Sequence, residues 1–470
     1  GCPSKALEFK KLLFGLAFFH AVILERRKFG PIGWNIPYEW MDSDFQVSRE
    51  QVKMYLLSQS ETPWETLRVV IAEVNYGGRV TDDKDVRLIS ALLLGYFCAE
   101  MLEDGFRFKG LDAYYPPRQG TLEQTREYIK TLPLDEDPRI FGLHSNALIT
   151  AQFNQANLFL DTVTSVQPRM TSGGGLKKPE DICAEMAEGF FESIPNAMKK
   201  KAAHPETYRK IAGGGVVSIG VFHGQEYSRF GQMISVVKAS LKKLQQAIKG
   251  IILMSADMEG MFNSFLIQKV PATWGKVAYP CMKPLNSWVA DFILRIGFMT
   301  AWLTNGPPLS FWLSSFFFPQ GFMTAALQLH ARKTKIPIDT LEFFSNVTSC
   351  RDPRTLTDFP ESGMNMHGLF LQGCGWDLES GQLRESHKEV LFEEMPVLWL
   401  EPIAKDVVES RMVDWNLYEC PLYKTSERKG TLSTTGHSTN FVKMFPLKQP
   451  MPHAAHWITR GVAMLCMLDD

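Results

Sequence analysis

The sequence predicts an α+β multidomain protein: an all-helical unit over residues 1–145, a mainly helical middle over 146–350, and a C-terminal antiparallel β-barrel over 351–470. Three observations carry that expectation. Apolar residues recur at helical spacing from Phe9 to Ile251, an uncharged aromatic stretch runs from Ile296 to Ala331, and short alternating runs replace the helical pattern after Arg351. At 470 residues the chain exceeds what one hydrophobic core usually serves, so two or three domains are expected.

From Phe9 to Leu24 apolar residues are nearly continuous, and Glu25-Arg26-Arg27-Lys28 follows. A first helix should therefore end near Gly30-Pro31, with its cations on the C-terminus where the helix dipole favours them. Ser48 to Leu57, Pro63 to Val74 and Asp82 to Met101 read as three more helices. The second opens with proline in its first turn, and the third carries Val86, Ile89, Leu93 and Phe97 on one stripe. Within Tyr76-Gly77-Gly78 the glycines are expected to permit positive φ where one helix stops before Asp82-Asp83 starts the next. Pro116-Pro117 and the run from Pro133 to Pro138 read as linkers, and Asn146 to Val163 as the helix that begins the next unit.

Thr171 to Lys178 is polar and glycine-rich, the composition of a mobile loop, and Asp181 to Ile194 reads as a short helix beyond it. The strongest periodic signal follows. Phe230, Ile234, Val237, Leu241, Leu244, Ile248 and Ile251 alternate steps of four and three, while Lys238, Lys242, Lys243 and Lys249 take other faces. A long amphipathic helix packed on a core is expected in preference to a coiled-coil seam, because the repeat is short. Asn305-Gly306-Pro307-Pro308 and Pro319-Gln320-Gly321 cut the uncharged stretch into pieces too short for a membrane span of about 20 residues, so it is expected to be buried core.

Past Arg351, runs at Gly368 to Gln372, Val397 to Leu400, Tyr418 to Tyr423, Asn440 to Phe445 and Trp457 to Leu468 read as strands, with Glu379-Ser380-Gly381 as a turn. Pro396, Pro402, Pro421, Pro446, Pro450 and Pro452 are expected near strand ends, since proline cannot donate to a ladder.

Hydrophobic residues make up 45% of the chain and charged residues 21%, an ordinary soluble composition, and a net charge of -1 gives no basic field for nucleic acid. The eight cysteines are scattered without C-x-x-C spacing, which fits a reducing compartment and suggests neither a zinc site nor a disulfide scaffold. The chain opens without Met and without a signal-peptide pattern, from which a fragment of a longer polypeptide is expected.

No stretch reads G-x-x-x-x-G-K-[ST], the loop whose amides, lysine and hydroxyl hold phosphates and Mg²⁺. Gly213-Gly214-Gly215-Val216-Val217-Ser218 falls one residue short of G-x-G-x-x-G and follows polar Tyr208-Arg209-Lys210, so a glycine loop is expected. Val216-Val217-Ser218-Ile219-Gly220 misses the nucleophile elbow at its first glycine. His453 and His456 are three apart, but without an acidic partner they read as turn or packing residues, as does His437 between Gly436 and Ser438. Lys199-Lys200-Lys201 reads as a helix-end or solvated run. Trp34, Trp64, Trp274, Trp288, Trp302, Trp312, Trp376 and Trp399 read as core or interdomain anchors. No catalytic, cofactor-binding or metal-binding residue is assigned from these patterns.

The run from Gly430 through Thr431 to Val442 (Gly-Thr-Leu-Ser-Thr-Thr-Gly-His-Ser-Thr-Asn-Phe-Val) is too polar to be explained by packing and reads as a hydrogen-bonded strand entry. It closely resembles the tail of axonemal dynein heavy chains, and His456-Trp457-Ile458 with Arg460-Gly461-Val462-Ala463 continues the likeness. Upstream, Phe18-Phe19-His20-Ala21-Val22, Glu25-Arg26-Arg27, Phe29-Gly30-Pro31-Ile32-Gly33-Trp34-Asn35 and Tyr38-Glu39 resemble the small helical subdomain of that family's sixth AAA+ module. Asn75 to Asp83 with Asp85, Arg87 and Leu88 extends it. Ala247-Ile248-Lys249-Gly250, Lys269-Val270-Pro271, Lys283-Pro284-Leu285, Phe311-Trp312-Leu313 and Ala331-Arg332-Lys333 resemble the family's C-terminal domain. Thr171 to Lys178 and Ile211 to Gly224 depart from the pattern.

The resemblance implies a helical lid over residues 1–145 of the sixth AAA+ module, followed by the helical (146–350) and β-barrel (351–470) parts of the C-terminal domain. It further implies a non-catalytic portion of a microtubule motor ATPase, bracing the ring and modulating minus-end-directed motility in the axoneme of cilia and flagella. ATP and Mg would belong to the parent motor. The implied partners are the remaining AAA+ modules of the same heavy chain, intermediate and light chains, and the microtubule through the parent stalk, with no nucleic acid and no membrane. The alternative is a free-standing axonemal scaffold or interaction module without motor activity.

Overall fold

Four helices answer the apolar spacing of the N-terminal unit: α1 (Pro3–Glu25), α2 (Asp42–Ser58), α3 (Trp64–Arg68) and α4 (Asp83–Tyr96). They belong to a computed structural model that describes every residue except 1–2, 118–120, 167–177, 197–202, 212–214, 432–438, 452 and 470. Most of the glycine-rich run from Thr171, the lysines at 199–201, Gly213, Gly214, His437 and most of the polar run before Asn440 therefore lie outside the described residues. Leu12, Leu16, Phe19 and Ile23 on α1 are fully buried in one core with Ile71, Ile89, Leu93 and Tyr96. Asp82 caps α4 by accepting hydrogen bonds from the backbone N–H of Lys84 (2.9 Å) and Asp85 (3.3 Å), donors that the first helical turn would otherwise leave unsatisfied.

Two expectations need correction here. Gly77 and Gly78 do not take positive φ; they enter a 3-10 turn over Gly77–Arg79. Space is what demands glycine at 77, since a Cβ there would stand 2.4 Å from the Ala72 carbonyl oxygen. The helix from Asp82 stops at Tyr96 rather than Met101, and α3 passes into a π-helical stretch over Val69–Asn75. Between the two linker-like proline runs lies α5 (Leu122–Lys130), a helix outside the expected elements, opened by a reciprocal Thr121/Gln124 capping box and with no fully buried residue. Helix α6 (Ala147–Val166) buries Ala147 and Ala151 in the N-terminal core.

The middle of the chain is built on α7 (Pro179–Ser193), α8 (Ser218–Ile248), α9 (Ala256–Leu266), α10 (Ala272–Gly275), α11 (Leu285–Asn305) and α12 (Pro319–Thr334). On α8, Phe230, Ile234, Val237, Leu241 and Leu244 are buried as the spacing predicts, and the helix packs into the core rather than standing as a free seam. Ile251 lies past its end and is exposed. The uncharged stretch is divided where expected, with Gly306 (φ 92°) ending α11 and Pro319 opening α12. Ile296, Met299, Trp302, Phe311, Phe316 and Phe322 from it are buried, and no described helix is long and apolar enough to cross a membrane.

The strands are β1 (Ser310–Trp312), β2 (Leu341–Val347), β3 (Met364–His367), β4 (Phe370–Gln372), β5 (Gly375–Asp377), β6 (Gln382–Arg384), β7 (Phe392–Glu394), β8 (Leu398–Ala404), β9 (Leu417–Tyr423), β10 (Phe441–Lys448) and β11 (Ala463–Leu465), with α13 (Lys405–Met412) and α14 (Ala455–Thr459) between them. They form one sheet in the order β1-β3-β8-β2, a second in the order β10-β9-β11-β4-β7, and the hairpin β5-β6, turned at Gly381 (φ 64°). Among the described residues these ladders do not close into a barrel. Nor are they wholly antiparallel, because β1 runs parallel to β3 and β11 parallel to β9. Each parallel pair is joined through intervening helix or strand, as a crossover requires.

Trp457 and Ile458, expected in a strand, lie in α14, where the buried Trp457 indole donates to Gln449 Oε1 (3.0 Å). Pro402, Pro421 and Pro446 sit inside strands rather than at their ends. Their missing donor is tolerated because each ladder there is one-sided: β3 pairs β8 only as far as Leu400, β11 pairs β9 only from Leu422, and β10 is an edge. A single apolar core runs from Cys183 through α8 and α11 to Met467 and joins helices to both large sheets.

Candidate functional site

The densest buried polar chemistry lies where the N-terminal helical unit meets the second sheet and the C-terminal segment. Its centre is Arg26. The steps Leu12, Leu16, Phe19, Ile23, Arg26 put this arginine on the same face as the core residues of α1, so its guanidinium is fully buried instead of serving as an exposed helix-end cation. Nε donates to the Gly33 carbonyl (2.7 Å), Nη1 to Phe141, and Nη2 to Ile32 (3.4 Å) and Thr459 (2.8 Å). Burial pushes its pKa down to about 9, which leaves it a cation at neutral pH, satisfied by carbonyl dipoles.

Around it a second network is built on the turn after α1 and the start of α4. Asp85 Oδ1 accepts from the Asn35 backbone N–H (3.1 Å), and Oδ2 accepts from Ile36 N–H (3.2 Å) and Tyr38 Oη–H (2.9 Å). The Asn35 amide donates to Asp82 Oδ1 (3.2 Å) and across the seam to Tyr423 Oη (2.8 Å) on β9. Burial, then the neighbouring Asp82 charge, pushes the Asp85 carboxyl up to about 7, against the pull of its three donors. Arg87 of α4 donates to the Glu419 carbonyl (2.8 Å) and Tyr418 Oη (3.2 Å), while Lys84 Nζ stands 3.7 Å from the centroid of the Phe441 ring.

A third set closes the seam from α14. Asn146 donates to the carbonyls of His387 (2.8 Å) and Val390 (2.9 Å) and accepts from Glu389 N–H (2.9 Å). Arg460 donates to the Leu143 carbonyl and to Glu385 Oε1 (3.1 Å), which His456 Nε2 also meets at 2.6 Å. Backbones approach closely: at Gly461 (φ 68°) a Cβ would lie 2.3 Å from the Ile32 carbonyl oxygen. The seam leaves a cavity of about 20 Å³ between Asn35, Asp85, Arg87, Tyr423 and Arg428, room for one water.

Chemically, this arrangement holds and positions; its polar atoms are directed at one another. Of the histidines singled out in the sequence, His456 joins the seam through Glu385 and His453 is exposed in the preceding turn. Among the described residues no group of three or more His, Cys, Asp or Glu is placed to hold a metal ion. Arg26, Asn35, Asp85 and Arg87 all stand in the strings that carried the resemblance, yet pattern reading gave Arg26 only the role of a helix-end cation and the other three none. The core-face position of Arg26 was the available signal. Of the tryptophans, Trp34, Trp274, Trp288, Trp302 and Trp376 are buried, whereas Trp64, Trp312 and Trp399 are partly exposed.

A helical lid locked by a buried polar seam to a mixed helix-and-sheet domain defines a coupled α+β unit. Residues 9–147 match the family model for the AAA lid domain of the dynein heavy chain, and residues 153–466 match the model for the C-terminal domain of the same family. The protein belongs to the dynein heavy chain family. It is similar to mouse dynein axonemal heavy chain 3 (42% identity over 99% of this chain and 11% of that protein) and to rat dynein axonemal heavy chain 12 (41% over 100% and 15%). Human dynein axonemal heavy chain 6 is 38% identical over 98% of this chain and 11% of its own length. The chain thus spans between 11% and 15% of the length of these curated relatives.

Proposed function

We propose that this chain is the lid and C-terminal domain of an axonemal dynein heavy chain, and that it braces the AAA+ ring and modulates ATP-driven, minus-end-directed microtubule movement in the axoneme of cilia and flagella. ATP and Mg act at other modules of the parent motor. Its partners are those modules, the microtubule through the parent stalk, and intermediate and light chains. The observation that carries this reading is the seam: Arg26 and Asn35 tie the lid to Thr459 and Tyr423 through buried hydrogen bonds, and Arg87 adds a bond to the Glu419 carbonyl at its solvent edge, which suits a part that transmits force without yielding. Coupling between distant ATPase modules requires such a rigid or two-state connection.

The test is to express the parent heavy chain with and without residues 153–470 and to measure microtubule-stimulated ATPase and gliding velocity. Loss of coupling, with ATP turnover no longer matched by gliding, supports the reading. Equal ratios of velocity to turnover in the two motors would sink it.

A further inference from the structure

Between α8 and α9 the chain turns through Lys249-Gly250-Ile251-Ile252-Leu253-Met254-Ser255, and large apolar side chains stand out from it: Ile251 is 66% exposed, Leu253 94% and Met254 44%. Single exposed apolar residues are ordinary on a protein surface, whereas a cluster on one short loop marks a contact.

The loop is held at both ends. Gly250 (φ 72°) sits just past α8, its N–H donating to the Ala247 carbonyl (3.0 Å) while the Ile251 N–H donates to Gln246 (2.9 Å), the paired bonds of a Schellman stop. In that motif the residue after the glycine usually packs back on its helix, but Ile251 remains exposed. At the other end Ser255 Oγ accepts from the Met258 N–H (3.4 Å) and caps α9. A segment pinned in this way has little conformational freedom left to lose on binding.

Charge and size decide the occupant. Lys242 and Lys243 in the last two turns of α8 and Lys249 just past its end are exposed, and so are Asp257 and Glu259 in the first turn of α9. An anionic lipid surface would repel the α9 flank, whereas a protein recess can set acidic groups beside α8 and basic groups beside α9. Three side chains cover far less than the roughly 800 Å² per partner of a stable interface between free proteins. A contact so small holds where its two sides are already linked in one polypeptide, which raises their effective concentration. The chain accounts for 11% to 15% of the length of its heavy-chain relatives, so most of such a polypeptide lies outside it.

We propose that Ile251, Leu253 and Met254 dock in an apolar recess on a part of the same heavy chain outside these 470 residues. This rests on the reading of the chain as part of an axonemal dynein heavy chain, and it names a contact that the Arg26 seam does not supply.

The test uses the full-length parent heavy chain carrying Leu253→p-benzoylphenylalanine, photo-activated and mapped by mass spectrometry, together with hydrogen exchange on residues 251–254. Cross-links to peptides of the same heavy chain outside the 470 residues are expected, and the 251–254 amides should exchange at least tenfold faster in Leu253→Glu than in wild type. The same Leu253→Glu change in the 470-residue protein should leave its thermal midpoint unchanged, since the side chain is exposed there. Absent cross-links, with exchange indifferent to Leu253→Glu, overturn the proposal. So do cross-links to another polypeptide, to a second heavy chain in an isotope-mixed sample, or to added phosphatidylserine vesicles. Neither readout involves ATP turnover or gliding. Cross-linking in a motor whose velocity stays matched to turnover without residues 153–470 would therefore keep the docking and refute the bracing, and the reverse result would refute the docking alone.

Discussion

Arg26 and Thr459, 433 residues apart in the sequence, are joined by a 2.8 Å hydrogen bond from a fully buried guanidinium to a backbone carbonyl. The same side chain holds Gly33 and Phe141, so one residue fixes the exit of α1, the segment before α6 and the end of α14.

Removing that guanidinium leaves several buried carbonyls without a donor. Arg26→Met is expected to cost at least about 3 kcal/mol, because hydrogen bonds to charged groups contribute roughly 1.5–3 kcal/mol each. Urea unfolding followed by tryptophan fluorescence checks this, and an unchanged midpoint would contradict it.

Asp85 gives a pH dependence of definite sign. Its folded pKa of about 7 lies above the ordinary carboxyl value, so between about pH 4 and 7 the folded state holds a proton that the unfolded state has released. Its stabilising contribution is present below that window and is lost as pH rises through about 7. Asp85→Asn should flatten this part of the stability profile, as measured by thermal midpoints from pH 5 to 8. His367, pushed down to about 4 by burial, acts oppositely: its contribution is present above its ordinary value near 6.5 and fades as pH falls towards 4.

Trp302, 1% exposed and packed on Phe311, His223 and Phe316, should cost about 3 to 5 kcal/mol when replaced by Ala. Trp312 is only partly buried, so the same truncation there should cost clearly less. Equal losses in thermal midpoint for the two variants would contradict this ordering.

Gly461→Ala should destabilise the seam by about 1–3 kcal/mol, from a non-glycine residue forced to positive φ. The added methyl would also press on the Ile32 carbonyl. Gly381→Ala, at φ 64° but with open space around it, isolates the backbone part of that cost, and its smaller effect on the midpoint checks the difference.

Helices with a clean apolar stripe were legible in the sequence: α1, α4 and above all α8, because burial of one face leaves a period that no other structure imposes. Helix α5 was hidden because it buries nothing, and β1, β3 and β5 to β7 because runs of three or four residues carry too little alternation. Among the described residues the sheets do not close into the expected barrel, and they are not wholly antiparallel, because crossovers place β1 and β11 parallel to a neighbour in a way no local pattern records. Arg26 and Asp85 were visible as residues but not as a site, since charge in sequence suggests solvent until the partners that satisfy it are known.

The claim that the seam carries force between lid and C-terminal domain is tested most directly at Arg87, which is only partly buried and therefore replaceable without unfolding the lid. Arg87→Met in the parent motor removes the bonds to Glu419 and Tyr418. Measured together, gliding velocity should fall at least twofold relative to microtubule-stimulated ATP turnover. A variant whose velocity and turnover both match wild type, with hydrogen exchange confirming a loosened seam, would contradict the account.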